Sequence, residues 1–125
     1  MKRLIISFLI LFGFNNCIGQ EMLTSDNFKS KIAKNIVAVE FWASWNSANE
    51  FKELSKLKDC KVYRIDISMY MDIQSEYNVS AIPTLIVFES GKEKERFNAN
   101  VMFKLEADKK TIQHSIDTLM FNKFN

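Results

Sequence analysis

The run Ile36-Val37-Ala38-Val39-Glu40-Phe41 limits the fold more than any other feature of the chain. It is rich in β-branched residues, too short for a core helix, and apolar at successive positions, so it reads as a strand covered on both faces. A strand of that kind needs a layer of helix on either side, which points to an α/β architecture. Glu40 is its one anomaly, a carboxylate inside an apolar run.

The flanking pattern supplies those layers. Thr24-Ser25-Asp26 offers an N-cap ahead of Phe28 and Ile32, apolar residues at i and i+4 of a short helix. Phe51, Leu54 and Leu57, interleaved with Lys and Glu, predict a second amphipathic helix over 48–58. Val62 to Ile67 reads as a strand, Ile73 and Tyr77 mark a third helix ending near Asn78, and Thr84 to Phe88 after Pro83 reads as another strand. Ser90-Gly91-Lys92 turns the chain into a strand from Glu95 to about Leu105, with Phe97, Val101 and Phe103 facing inward. Asp108 caps a last helix carrying the stripe Ile112, Ile116, Leu119 and Met120. Strand-helix alternation implies parallel pairing through crossover helices, and the Gly91 turn implies an antiparallel hairpin. A mixed central sheet with helices on both faces satisfies both.

With 125 residues the chain suits one domain, and its 16 aromatic residues argue against disorder. Lys and Arg number 17 against 15 Asp and Glu, with no concentrated run, so nucleic acid is not an expected partner. Lys2 and Arg3 precede an apolar stretch from Leu4 to Phe14, the order of an export signal and too short for a membrane span. Cys17-Ile18-Gly19 fits cleavage after Gly19, giving a signal peptide over 1–19 and a domain over 20–125 in a periplasmic or extracellular setting. Cys17 as the acylated residue of a lipoprotein is the alternative. Either outcome leaves Cys60 as the one free thiol, so no internal disulfide is expected.

Two segments resemble the thioredoxin family. Phe41-Trp42-Ala43-Ser44-Trp45 looks like that family's strand-to-helix junction, and Tyr77-Asn78-Val79-Ser80-Ala81-Ile82-Pro83-Thr84 looks like the segment carrying its cis-proline. Phe88-Glu89-Ser90-Gly91-Lys92 is similar to its late hairpin. The resemblance runs from about Met22 to the last helix and implies the thioredoxin-like α/β fold, with Pro83 cis and the backbone of Ile82 facing the start of the second helix.

The departure falls on the chemistry. Redox members carry Cys-x-x-Cys after the second Trp, whereas here Trp45 is followed by Asn46-Ser47-Ala48-Asn49. Thiol-disulfide exchange needs a thiolate to attack and a second thiol to resolve, and a carboxamide does neither. Asn46 is expected to cap the second helix; its donors can also receive a partner's carbonyl or carboxylate. Trp45, Asn46, Ser47, Ala48, Ile82 and Pro83 form the peptide groove that the resemblance implies, with main-chain pairing to an extended peptide; Trp45 as a packing residue and Pro83 as a strand start are the plain alternatives.

Glu40 matches the family's buried acid and Arg64 a basic residue on the adjacent strand, and the cost of an unpaired buried carboxylate predicts an ion pair between them. Cys60 reads as a small buried hydrophobe or a reactive thiol. His114 reads as a surface residue, and Asn78-Val79-Ser80 fits a glycosylation sequon. No metal and no cofactor are expected. The favoured expectation is a redox-inactive module binding a peptide segment or an exported protein. The alternatives are a thiol-disulfide protein acting with partner cysteines or through Cys60, and a structural subunit whose groove a neighbour fills.

Overall fold

The computed structural model describes residues 21–123. The proposed leader, its cleavage site and Cys17 lie outside them. Five strands form one sheet in the order β1-β3-β2-β4-β5: β1 is Glu21–Leu23, β2 Ile36–Trp42, β3 Lys61–Asp66, β4 Thr84–Glu89 and β5 Lys92–Phe97. β3 runs parallel to β1 and β2, while β4 is antiparallel to β2 and β5. The helices are α1 (Phe28–Ile32), α2 (Met71–Glu76) and α3 (Lys109–Lys123). This is the thioredoxin-like mixed sheet flanked by helices.

Period-two alternation along β2 sorts the core into two layers. Val37, Val39 and Phe41 face α1 and α2, packing with Phe28, Ile32, Ile73 and Phe88. Ile36 and Ala38 face the other way, with Phe51, Leu54, Leu57, Ile112 and Ile116. Every residue from Ile36 to Phe41 is buried, Glu40 included.

Local chemistry fixes the joints. Ahead of α1, the Thr24 hydroxyl accepts the Asn27 N–H at 3.3 Å and the Asn27 carboxamide oxygen accepts the Thr24 N–H at 2.8 Å. Asn27, rather than the Thr24-Ser25-Asp26 trio, stands directly before the helix. Ser90 and Gly91 both adopt positive φ, 51° and 83°, as a two-residue hairpin loop requires. Asp108 caps α3 by accepting the Thr111 N–H at 2.9 Å.

Two expectations are corrected. No α-helix occupies 48–58; the segment forms two 3₁₀ turns, Ser44–Asn49 and Leu54–Lys56. Glu50 between them is extended (φ −60°, ψ 153°). The buried polar pair competes for the backbone here, since Glu40 accepts the Phe51 N–H at 2.8 Å and Arg64 donates to the Phe51 carbonyl at 3.1 Å. The strand expected to reach Leu105 stops at Phe97, leaving only a bridge between Ala99 and Leu105. Asn100 breaks it, its carboxamide oxygen accepting the N–H groups of Met102 (2.8 Å) and Lys104 (3.2 Å). Phe97 still packs on the α3 side of the core, but Val101 is 95% exposed and Phe103 50% exposed, so neither points inward.

Candidate functional site

The carboxyl ends of the parallel strands β2 and β3 open onto a cavity of about 360 Å³. Crevices of α/β folds commonly lie at that end of the sheet. Ala43 and Trp45 contribute from beyond β2, Ile67 and Ser68 from beyond β3, Met71 and Gln74 from α2, Ser80 to Ile82 from the approach to β4, and Phe103 from the loop after β5. None of these ten side chains carries a charge. Ile82 and Pro83 are joined by a cis peptide bond, and β4 begins at the next residue.

Trp45 stands at the rim with 66% of its surface exposed, its ring edge-on to Phe103 at 5.9 Å and 82°. Met69, Met71 and Met102 are also exposed. Trp42, by contrast, is half-buried and its indole N–H finds no partner among the described residues. Ile82 lines the cavity, whereas Asn46, Ser47, Ala48 and Pro83 are not among its lining residues. Ser47 and Ala48 are exposed beside it, and Pro83 is buried behind it.

Asn46 does not cap a helix. It lies inside the first 3₁₀ turn with φ −113° and ψ 25°, the position before that turn being Ala43. Its side chain is buried and works across the molecule: Nδ2 donates to the Phe103 carbonyl at 3.0 Å, and Oδ1 accepts from Asn49 Nδ2 at 2.9 Å. The two asparagines thus form a hydrogen-bonded chain that ends on the loop after β5. The loop was the part of the site that the sequence did not reveal, and its signal was the pair Asn98 and Asn100 inside a presumed strand.

Glu40 and Arg64 come together on neighbouring strands, Arg64 Nε donating to Glu40 Oε1 at 2.9 Å. Glu50 lies 3.8 Å from the same guanidinium. Burial pushes the Glu40 carboxyl above its ordinary value, outweighing the lowering by the Phe51 N–H and the Arg64 charge.

Cys60 sits at the other end of β3, before Lys61, so six strand residues, about 20 Å, separate it from the groove end. It is half-buried, and burial followed by the neighbouring Asp59 charge pushes its thiol up to about 11. A monothiol mechanism needs a lowered value, and burial here acts in the opposite direction. His114 is exposed on α3. Among the described residues no His, Cys, Asp or Glu cluster is placed to hold a metal, and no helix is long and apolar enough to cross a membrane.

A family model, Thioredoxin, matches residues 19–114. The chain belongs to the thioredoxin family. It is 36% identical over 70 residues to a thioredoxin of Mycoplasma genitalium, a match spanning 51% of this chain and 69% of that protein. With a thioredoxin of Chlamydia trachomatis it shares 30% identity over 82 residues, 61% of this chain and 80% of the other. Among solved structures, a mutant thioredoxin from Halobacterium salinarum superposes with a TM-score of 0.63 at 20% identity, over 81% of this chain and 94% of that one; at that identity the likeness speaks for the fold. The thioredoxin scaffold is therefore present.

Proposed function

We propose that this thioredoxin-family protein is an exported, redox-inactive module that binds an extended peptide segment of a partner protein in the groove beside Trp45 and Ile82. The observation that carries the reading is the Asn46-Asn49 pair. Two carboxamides hydrogen-bonded to each other at 2.9 Å stand where a dithiol would have to act. An amide nitrogen and oxygen offer neither a nucleophilic thiolate nor a sulfur leaving group. Cys60 does not replace them, being about 20 Å away with its thiol held protonated.

What stays is a binding surface. The uncharged cavity, the exposed Trp45 and the exposed Met71 that lines it suit an apolar segment, since large exposed apolar patches mark interaction sites and Met adapts to varied shapes. An extended chain laid along Ala81 and Ile82 can pair its main chain there, as in strand addition. Export is supported by Lys2-Arg3 ahead of the Leu4 to Phe14 stretch.

The test is reduction of a protein disulfide with dithiothreitol as electron source. The protein is expected to add nothing to the rate of dithiothreitol alone, and the Asn46→Cys/Asn49→Cys variant to add measurable turnover. Turnover by the natural protein that disappears in Cys60→Ser would overturn the reading in favour of a monothiol reductase.

A further inference from the structure

Methionine is a residue that proteins commonly bury, yet Met69, Met71 and Met102 stand 69%, 67% and 66% exposed. Met71 lines the cavity, Met69 follows the lining residue Ser68, and Met102 precedes the lining residue Phe103. Met71 opens α2, whose inward residue is Ile73, so the core holds the helix by Ile73 and leaves the Met71 thioether on the cavity wall. The other two methionines among the described residues differ: Met120 is half-buried against the core, and Met22, 43% exposed, sits on the edge strand β1 and does not line the cavity. Sulfur is also divided by reactivity. Cys60 is half-buried at the opposite end of β3, and a thiol pushed up to about 11 leaves about one in ten thousand ionised at neutral pH. A thioether has no proton to lose before it reacts with a peroxide, so access to solvent governs its oxidation. Asn46 and Asn49 offer no sulfur, and the thioether is what the cavity wall presents instead.

We infer that Met71 is a site of reversible oxidation by peroxides, and that the resulting sulfoxide turns the cavity wall from apolar to polar and releases its occupant. The thioether sulfur attacks the O–O bond of the peroxide and takes one oxygen; hydrogen peroxide leaves as one water. Sulfur gives up two electrons in becoming a sulfoxide, and the peroxide gains them. In the return step a dithiol is oxidised to a disulfide and the sulfoxide oxygen leaves as water. The inference rests on the peptide-binding reading for what is released, whereas the oxidation itself does not depend on it. A sulfoxide puts a strong dipole on a wall whose ten residues carry no charge, and an apolar segment laid against it would take that dipole out of water without a partner. In the empty cavity the same dipole stays solvated, because Met71 is exposed, so oxidation burdens the complex and not the fold. The coupling is reciprocal: an occupant that disfavours the sulfoxide must also shield the thioether.

The experiment treats the protein with hydrogen peroxide, maps added oxygen by mass spectrometry of its peptides, and measures anisotropy of a labelled, blocked decapeptide with a central Leu (the Leu peptide) before and after. Met71 is expected to gain one oxygen at a rate within about threefold of N-acetylmethionine amide, ahead of half-buried Met120 and with Cys60 still reduced. The oxidised protein should bind the Leu peptide at least about fivefold more weakly, and methionine sulfoxide reductase with dithiothreitol should restore the affinity. Saturating Leu peptide should slow oxidation of Met71 and leave that of Met22 unchanged. In Met71→Leu the affinity, whatever its starting value, should be the same before and after peroxide, whereas the Met69→Leu/Met102→Leu variant should still lose it. Oxidation of Met71 no faster than of Met120, an affinity unchanged by the sulfoxide, or a loss that persists in Met71→Leu overturns this inference and leaves the peptide-binding reading standing. A loss accompanied by unfolding in circular dichroism overturns it in the same way. Absence of Leu peptide binding before peroxide overturns both.

Discussion

Two groups of aromatic rings in this protein make the same kind of contact in opposite surroundings. Phe28, Phe41, Tyr77 and Phe88 meet at centroid distances from 5.0 to 6.2 Å, two of the pairs at 83° and 84°. Trp45 and Phe103 meet at 5.9 Å and 82°. The first group is carried on α1, β2 and β4 and the residue closing α2, so the rings hold the elements and the elements cover the rings. The second group is carried on loops, and main-chain and carboxamide hydrogen bonds hold it while water covers it. Ring geometry alone does not separate a core from a solvent-facing rim. What separates them is whether apolar contact or polar tethering fixes the backbone underneath.

The comparison breaks first at Phe41. It is fully buried and touches both Phe28 and Tyr77, so Phe41→Ala should remove about 3 to 5 kcal/mol of stability, read as a lower urea midpoint. A loss below about 1 kcal/mol would mean that the quartet is not what holds the α1 and α2 layer to the sheet.

Next comes Glu40, on the opposite face of the same strand. Glu40→Ala leaves Arg64 and the Phe51 N–H without their buried acceptor, and should cost about 3 kcal/mol. The pH dependence has a definite sign. Because burial raises the Glu40 pKa in the folded protein, the folded state holds this proton more tightly than the unfolded state. Its contribution is then fully present below the ordinary carboxylate range and declines as pH rises through the raised folded value. Urea midpoints measured across that range should show this decline, and Glu40→Gln should flatten it. An opposite slope at this residue would mean that Arg64 and the Phe51 N–H outweigh burial.

What the sequence revealed follows the same division between apolar packing and polar tethering. The strands Ile36–Trp42 and Thr84–Glu89 were legible because their β-branched runs are buried on both faces, and burial writes itself into residue type. Phe51, Leu54 and Leu57 were legible as inward residues but not as irregular backbone. Their spacing is three, the 3₁₀ repeat, and it differs from a helical stripe by a fraction of a residue per turn. The deciding force was the pull of Glu40 and Arg64 on the backbone at Phe51, a long-range effect that no local window contains. β1, three residues long, is too short to show a period. In the site, the resemblance located Trp45 and the Ile82-Pro83 corner, but the alternation of Val101 and Phe103 read as a strand. A loop whose backbone is set by Asn46 and Asn100 side chains carries its instructions in two polar residues, one of them more than fifty positions away.

The smallest expected effect on stability sharpens the comparison most. Trp45→Ala removes the largest side chain at the rim, yet at 66% exposure it should change stability by about 0.5 kcal/mol or less. Its emission should disappear as the solvent-exposed component of the tryptophan spectrum, leaving the shorter-wavelength emission of half-buried Trp42. Affinity for the Leu peptide should fall at least about tenfold, because interface tryptophans are commonly worth more than the 1.4 kcal/mol which that factor represents. Phe41→Ala and Trp45→Ala would then remove rings with similar contacts and fail in different assays, one in denaturant and the other in binding. If Trp45→Ala instead lowered the urea midpoint as far as Phe41→Ala, the Trp45-Phe103 pair would belong to the packing of the fold, and the open face of the cavity would have to be an element of structure rather than a place for a partner.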